Sequence, residues 1–461
     1  MIRNAPLHAF HFERIAEGGL GDPQNILAHS MAWFKGRLYV GLSRTSSDHD
    51  GDGLSGAVER RRKHSVKHSP DQKGRIWMFD THTRKWGKVF ESPVITGRNG
   101  KQTAREIGYR AMAVFRGRTD FDDSLYVSGI SSEGAAILRS SDGINFSLLT
   151  HGTGVPGSAW SLRSLVPVGG RVFSTPTGTI AGDTVAYNRA ARAVVLEMGE
   201  TTAGEWKEVS APGFGDPTNV GIFELAAANG FLYAGTLNPY AGFQLWKAPI
   251  DAVGTGWKQV LNSGGFRGNT NESIVSLCPF GDALYIGTGI QGLSYDPEYR
   301  AGPGAAEILR VYPDDSWDLI VGQSRATFNG FKSALSGFGP GFGNPCNCVV
   351  WRMATHEGWL YAGTFDWSSM LHRQPRVGNR FIGAPIQEEA GFDLWRSPDG
   401  VQWAPVTRVG LGGTGMGVRT LVSTEKGLFL GTQGPFHSSD GSFAESASGG
   451  GCEVWWGHRN V

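Results

Sequence analysis

One four-residue pattern returns seven times along this chain, at intervals of 47 to 87 residues. It runs apolar, aromatic, apolar or small, and then Gly, Ser or Thr. The copies are Leu38-Tyr39-Val40-Gly41, Leu125-Tyr126-Val127-Ser128, Val172-Phe173-Ser174-Thr175, Leu232-Tyr233-Ala234-Gly235, Leu284-Tyr285-Ile286-Gly287, Leu360-Tyr361-Ala362-Gly363 and Leu428-Phe429-Leu430-Gly431. A repeat at such intervals indicates one supersecondary unit copied along the chain with insertions of varying length.

The residues around each copy predict three further strands. An apolar segment and a turn such as Asn229-Gly230 precede it, a Gly-led strand ending in Trp such as 242–246 follows, and a fourth strand such as 403–406 comes last. Four up-and-down strands form a propeller blade, and stacking around an axis covers the faces of each sheet. We therefore predict an all-β fold, a seven-bladed β-propeller of four-stranded antiparallel blades.

The ends of the chain predict how the ring closes. The last unit stops after its third strand, whereas a spare strand-like segment, 9–16, precedes the first unit. This segment is expected to complete the last blade and so protect a free edge. The chain, 1–461, is then one domain. Its predicted blades are 28–92, 109–152, 161–212, 219–263, 272–322, 347–410, and 417–461 with 9–16.

Composition excludes several classes of partner. A net charge of +1 gives no field that would favour nucleic acid or an anionic membrane. No apolar run is long enough to span a bilayer, and the N-terminus lacks the apolar segment of a secretory signal. Four Cys in 461 residues are too few for a disulfide framework. We expect a cytoplasmic protein without nucleic-acid or membrane partners.

The insertions predict which face carries function. They fall in loops between second and third strands, namely 44–73, 177–192, 289–305, 365–390 and 433–450, whereas six of the seven turns between first and second strands are short. Loops that grow on one face of a rigid scaffold usually bind ligands. A small molecule is expected there, and a protein partner is also compatible with such loops.

Basic residues begin the innermost strands at that face. When the units are aligned on the repeat, Arg110, Arg163, Arg419 and His29 share one position. Arg352 and Glu224 fall one residue later, and Tyr109 and Trp351 lie beside these residues. Guanidiniums there would hold a carboxylate, sulfate or phosphate through paired N–H donors. Pairing with Glu between blades is the structural alternative. The predicted substrate-binding residues are Arg110, Arg163, Glu224, Arg352, Trp351, Trp367 and Arg419.

Three residues near this face are candidates for proton transfer, namely His29, Tyr109 and Asp366. Asp366 and Trp367 directly follow the second strand of the sixth unit. A loop Asp more often caps a turn, and that is the alternative for Asp366.

An acidic loop matches the spacing of a calcium site. Asp48, Asp50, Asp52 and Glu59, with Gly53 at the bend, follow the pattern D-x-D-x-D-G-x5-E. The pattern predicts a Ca²⁺ ion that orders the loop, with an exposed acidic turn as the alternative. No organic cofactor is expected.

Two hairpins, 140–146 and 397–403, read Ser-x-Asp-Gly and end in an aromatic residue. They resemble the Asp-box hairpin of sialidase-like propellers, which implies a structural role. The whole chain resembles bacterial seven-bladed propellers built on Gly-x-Leu-Tyr-x-Gly-Thr blades. It is also similar to the propeller half of cylindrocyclophane-type alkylating enzymes, without their calcium-rich domain and with no catalytic residue that matches.

Two classes of function follow from these patterns. The first is an enzyme acting on a small anionic or aromatic substrate at the channel mouth, by lyase, hydrolase or group-transfer chemistry. The second is a non-catalytic module that binds a protein or glycan on the same face. The resemblance adds a third, biosynthetic alkylation that forms a C–C or C–O bond. The enzyme hypothesis predicts a pocket in which ionisable groups converge, whereas the binding-module hypothesis predicts a broad surface over a plugged channel.

Overall fold

Regular secondary structure in the computed structural model is almost entirely β-strand. It describes residues 4–44, 69–117, 120–131, 133–151, 159–181, 184–186, 188–199, 205–290, 294–296, 299–328, 330–368, 376–377, 380–381, 390–435 and 450–459. Its α-helical turns are Gly18–Gly21 and Ser263–Phe266, and its 3-10 turns are Ala9–His11, Pro212–Gly215, Ile250–Ala252, Gly268–Thr270 and Pro340–Gly343. Within these ranges no helix is both long and apolar enough to cross a membrane.

Antiparallel pairing groups the described strands into four-stranded meanders, numbered 1 to 7 along the chain. Meanders 1 to 3 are Asn25–Phe34, Arg37–Arg44, Arg75–Asp80, Lys85–Glu91; Gly108–Phe115, Ser124–Ile130, Ala136–Ser140, Ser147–His151; and Ser161–Leu162 with Val166–Val168, Arg171–Ser174 with Pro176–Thr177, Leu196–Met198, Trp206–Glu208. Meanders 4 and 5 are Gly221–Ala228, Phe231–Leu237, Leu245–Pro249, Lys258–Leu261; and Ser273–Phe280, Ala283–Gly289, Ile308–Val311, Trp317–Val321. Meanders 6 and 7 are Asn347–His356, Trp359–Asp366, Leu394–Ser397, Ala404–Thr407; and Gly417–Thr424, Gly427–Gln433, Val454–Gly457, Phe12–Ala16.

Small two-stranded hairpins lie outside the meanders. They are Val94–Thr96 with Gln102–Ala104, Thr179–Ala181 with Thr184–Ala186, Arg325–Thr327 with Gly330–Lys332, and Arg376–Val377 with Arg380–Phe381.

The N-terminal segment joins the two ends of the chain. Phe12–Ala16 pairs antiparallel with Val454–Gly457, so an N-terminal strand is the outer strand of meander 7. Just before it, the backbone N–H of Leu7 donates to the Tyr361 hydroxyl at 3.0 Å, and Trp359 Nε1 donates to the Asn4 carbonyl at 2.8 Å. The segment is therefore held by both meander 7 and meander 6.

The glycine of the repeat lets neighbouring meanders pack closely. A Cβ on Gly235 would lie 2.5 Å from Ile274 Cβ in the first strand of meander 5, and one on Gly287 would lie 2.7 Å from the Val350 carbonyl oxygen in meander 6. Each first strand contacts the next one along the chain, and that of meander 7 contacts that of meander 1. The first strands are thus linked by successive contacts, and the space that they line is called the channel below.

The two Ser-x-Asp-Gly hairpins have the same geometry. Asp142 Oδ1 accepts the backbone N–H groups of Ile144 and Asn145 at 2.8 and 2.7 Å, and Asp399 Oδ1 accepts two in the same way. Gly143 and Gly400 sit against the hydroxyls of two buried Tyr of the preceding meanders, Tyr39 and Tyr285. The two aspartates therefore stabilise the turns between the third and fourth strands of meanders 2 and 6, and neither lines the cavity described below.

Candidate functional site

A β-bulge in the first strand of each regular meander turns one side chain toward the channel. An extra residue in one strand cannot pair and is re-aimed, which is why bulges often border functional sites. The unpaired residues at the bulge that the six strands share are His29, Arg110, Phe223, Val275, Trp351 and Arg419. In meander 3 the first strand is split instead, and Arg163 lies in the gap between its two parts. Every meander therefore contributes one such residue.

These seven residues line one open cavity with about 650 Å³ of empty space, part of it solvent. The other described lining residues are Leu27, Asn188, Ile290, Val349, Phe365 and Gln433. One open cavity therefore collects a residue from every meander.

The order of the meanders separates the lining into two halves. Meanders 7, 1, 2 and 3 are successive neighbours and supply the basic arc, defined as Arg419, His29, Arg110 and Arg163. Meanders 4, 5 and 6 supply the apolar arc, defined as Phe223, Val275 and Trp351. One side of the mouth can therefore bind negative charge while the opposite side can contact an apolar group.

An arginine stacks on an aromatic ring at both junctions between the arcs. The guanidinium carbon of Arg163 lies 3.6 Å from the ring centre of Phe223, and that of Arg419 lies 5.2 Å from the ring centre of Trp351. Arg163 Nη1 also donates to Asn188 Oδ1 at 3.4 Å. Stacking fixes the guanidinium planes, so the donors at the two ends of the basic arc are preorganised.

The basic arc concentrates positive charge in a buried place. Burial, followed by the guanidiniums of Arg352, Arg110 and Arg163, lowers the pKa of Arg419 well below its ordinary value, and Glu224 opposes this. Among the described residues no carboxylate lies within 4.0 Å of the Arg419 guanidinium, whose side chain is 6% exposed. A guanidinium keeps its charge in proteins, so an incoming anion would relieve this repulsion.

His29 is neutral at pH 7 in this environment. Burial lowers its pKa well below 6.5, and the neighbouring Arg419, Arg110, Arg163 and Arg352 lower it further. Its Nδ1 lies 2.7 Å from Ser43 Oγ, which leaves Nε2 as the ring nitrogen available to a ligand. A neutral imidazole beside bound negative charge can accept a proton.

Arg352 and Glu224 directly follow the bulges of meanders 6 and 4. Arg352 Nη1 lies 3.4 Å from Glu224 Oε2, and the ion pair spans across meander 5. This is the Arg–Glu pairing that was the structural alternative for the basic residues. Neither residue lines the cavity, although both act electrostatically on Arg419.

The structure does not bring the other three predicted residues to the cavity. Tyr109 is fully buried with its hydroxyl 3.4 Å from Glu106 Oε2, and burial raises its pKa well above 10. Asp366 Oδ2 accepts Asn344 Nδ2 at 2.6 Å and its Oδ1 accepts the Ser368 N–H at 2.6 Å, which is the capping alternative. Trp367 Nε1 donates to Ser294 Oγ at 2.8 Å.

Sequence reasoning did not single out Phe223 and Val275. Both lie nine residues before the first residue of the repeated pattern, as do His29, Arg163 and Arg419, so the same count would have found them. They were passed over because they carry no ionisable group. Trp351 lies at this position too and was among the predicted substrate-binding residues.

The predicted calcium ligands Asp48, Asp50, Asp52 and Glu59 lie outside the described residues, so that site stays a prediction. In the described ranges no group of three or more His, Cys, Asp or Glu side chains is arranged to hold a metal ion.

No family model and no curated protein matches the sequence. Among solved structures the chain is similar to Saccharomyces cerevisiae Sqt1, with a TM-score of 0.44, 10% identity, and coverage of 95% of this chain and 97% of that one. It is also similar to Pyrococcus horikoshii acylaminoacyl peptidase, with a TM-score of 0.40, 8% identity, and coverage of 86% and 47%. For a Mycobacterium tuberculosis puromycin-hydrolyzing peptidase the TM-score is 0.41 and the identity 12%, with coverage of 93% of this chain and 60% of that one. The chain thus spans 47% to 60% of these peptidases, and similarities this distant decide nothing about its function.

Proposed function

We propose that the seven meanders are the blades of one closed β-propeller, comprising residues 1–461 with Phe12–Ala16 as the closing strand. The channel mouth would be the site of a small-molecule enzyme with an anionic substrate. The observation that carries this proposal is the convergence of one residue from every meander on one cavity, with Arg419, His29, Arg110 and Arg163 as neighbours.

The basic arc supplies the two functions that such an enzyme needs. Its arginines bind and orient the anionic group through charge-assisted hydrogen bonds. Burial, followed by the same arginines, keeps His29 neutral, so it can accept a proton from the bound substrate, and the guanidiniums stabilise the negative charge that develops. Ser43 holds the imidazole ring through Nδ1. Tyr109 and Asp366 have no part in this scheme.

A second candidate is a binding module for another protein. It is favoured by exposed apolar side chains in the connection between meanders 5 and 6, where Phe328 is 93% exposed and Phe331 69% exposed. Because these residues lie outside the lining of the cavity, such binding would be independent of the basic arc.

Titration calorimetry with benzoate and with its neutral amide, benzamide, tests the anion site. Benzoate is expected to bind at least tenfold more tightly than benzamide, and Arg419→Gln, which removes one of the three guanidiniums of the basic arc, should reduce this ratio. Lys426→Gln is the matched control, because Lys426 is an exposed cation at the opposite end of the same meander. Equal binding of benzoate and benzamide to the unaltered protein would refute the proposal.

A further inference from the structure

The half of the cavity opposite the basic arc is lined by apolar side chains both at the bulge positions and beyond them. Phe223, Val275 and Trp351 form the apolar arc, and the same meanders add Ile290, Val349 and Phe365 to the lining. The basic half instead adds the amide side chains of Asn188 and Gln433. Leu27 is the apolar exception on that half among the described lining residues. The division into a polar half and an apolar half therefore extends beyond the ring of bulge residues.

The position of Val275 sets the direction of a bound ligand. Meander 5 is central in the apolar arc, and a ring of seven places it opposite the boundary between meanders 1 and 2, from which His29 and Arg110 enter. An inorganic anion would use the basic arc alone and leave the apolar half in contact with water, which is unfavourable. A ligand with charge at one end and an apolar body at the other contacts both halves.

We infer that the ligand of this site is an organic anion whose charged group is attached to an aromatic or branched apolar body. It lies across the channel with the charge against His29 and Arg110 and the apolar body against Val275, between Phe223 and Trp351. This inference rests on the proposed anion site and adds the chemical class of the ligand. The charged group is a carboxylate or a phosphate ester, and both have the acceptor geometry that guanidiniums bind.

The test compares pairs of probes that share one charged group and differ in the apolar body. Titration calorimetry would measure benzoate against acetate, and phenyl phosphate against inorganic phosphate. In at least one pair the aromatic member is expected to bind at least tenfold more tightly, because its ring leaves water for the apolar half. The pair with the larger ratio identifies the charged group.

A shape-conserving variant locates the apolar body. Val275→Thr keeps the volume of the side chain and places a hydroxyl in the apolar arc, so it should weaken the aromatic probe several-fold and leave acetate or phosphate unchanged. Val114→Thr, at the far end of the first strand of meander 2 and outside the cavity lining, is the control.

The outcomes separate this inference from the proposed function. If aromatic and small anions bind equally well to the unaltered protein, the anion site stands and the amphipathic ligand is refuted. If benzoate and benzamide bind equally well, or if none of the probes binds, the anion site fails and the inference fails with it. The ratio for the unaltered protein decides the matter even if Val275→Thr does not fold.

Discussion

Replacing Gly235 with Ala tests the close packing on which the ring of meanders depends. The added Cβ would lie 2.5 Å from Ile274 Cβ and 2.6 Å from Ile274 Cγ2, whereas ordinary contacts of this kind begin near 3.4 Å. Ile274 Cβ is fixed to the backbone of the next meander, so relief requires the two sheets to separate by several tenths of an ångström. Overpacking of this kind destabilises a protein by about 1–3 kcal/mol.

The assay is equilibrium unfolding in urea, followed by Trp fluorescence. Gly235 has no left-handed φ, so Ala is strained there only by lack of space. Gly87→Ala is the matched control, because Gly87 also lies in a strand and an added Cβ would meet nothing within 4 Å. We expect Gly235→Ala to lower the free energy of unfolding and Gly87→Ala to change it by less than about 0.5 kcal/mol. Equal effects would refute the packing argument.

Two further predictions concern pH. A bound anion should raise the lowered pKa of His29, so benzoate binding should take up protons and tighten as the pH falls toward that pKa. Calorimetry in buffers of different ionisation enthalpy measures the proton uptake, and His29→Gln should abolish it. Burial, reinforced by Asp366, raises the pKa of Asp393 to about 7, so its contribution to stability is present at low pH and lost as pH rises through 7. Asp393→Gln should therefore increase the free energy of unfolding at pH 8 relative to that at pH 5. The site accepts Gln, since Gln244 occupies the equivalent place in meander 4 and accepts a hydrogen bond from Asn219 Nδ2 at 2.8 Å. If the difference in unfolding free energy between the two pH values is the same in the variant as in the unaltered protein, the argument is contradicted.

The sequence predicted the all-β antiparallel architecture because each residue type of the repeat has a packing role in the sheets. The Tyr of the pattern is buried in the sheet, and the Gly, as at Gly235, is required where the next sheet approaches. A Ser replaces Gly in meander 2, and there Ser128 Oγ donates to the Leu162 carbonyl of the next meander. The small residue that ends the pattern therefore indicates where neighbouring sheets approach closely.

The candidate site was predicted in part. Counting from the repeat brought His29, Arg163 and Arg419 to one level because the turns between first and second strands have equal length. The count could not show that a bulge turns this position, and not its neighbours, toward the channel. Tyr109 directly precedes the bulge and therefore points into the core. The sequence could not show that Asn344 and the Ser368 N–H hold the Asp366 carboxylate, because only the fold brings these groups together.

A crystal structure of the protein with benzoate tests the central claim most directly. We expect seven four-stranded blades, one residue of the basic or apolar arc from each at the channel mouth, the carboxylate against Arg110 and His29, and the phenyl ring against Val275. A different number of blades, side chains that point away from a common axis, or benzoate bound elsewhere on the surface would contradict it.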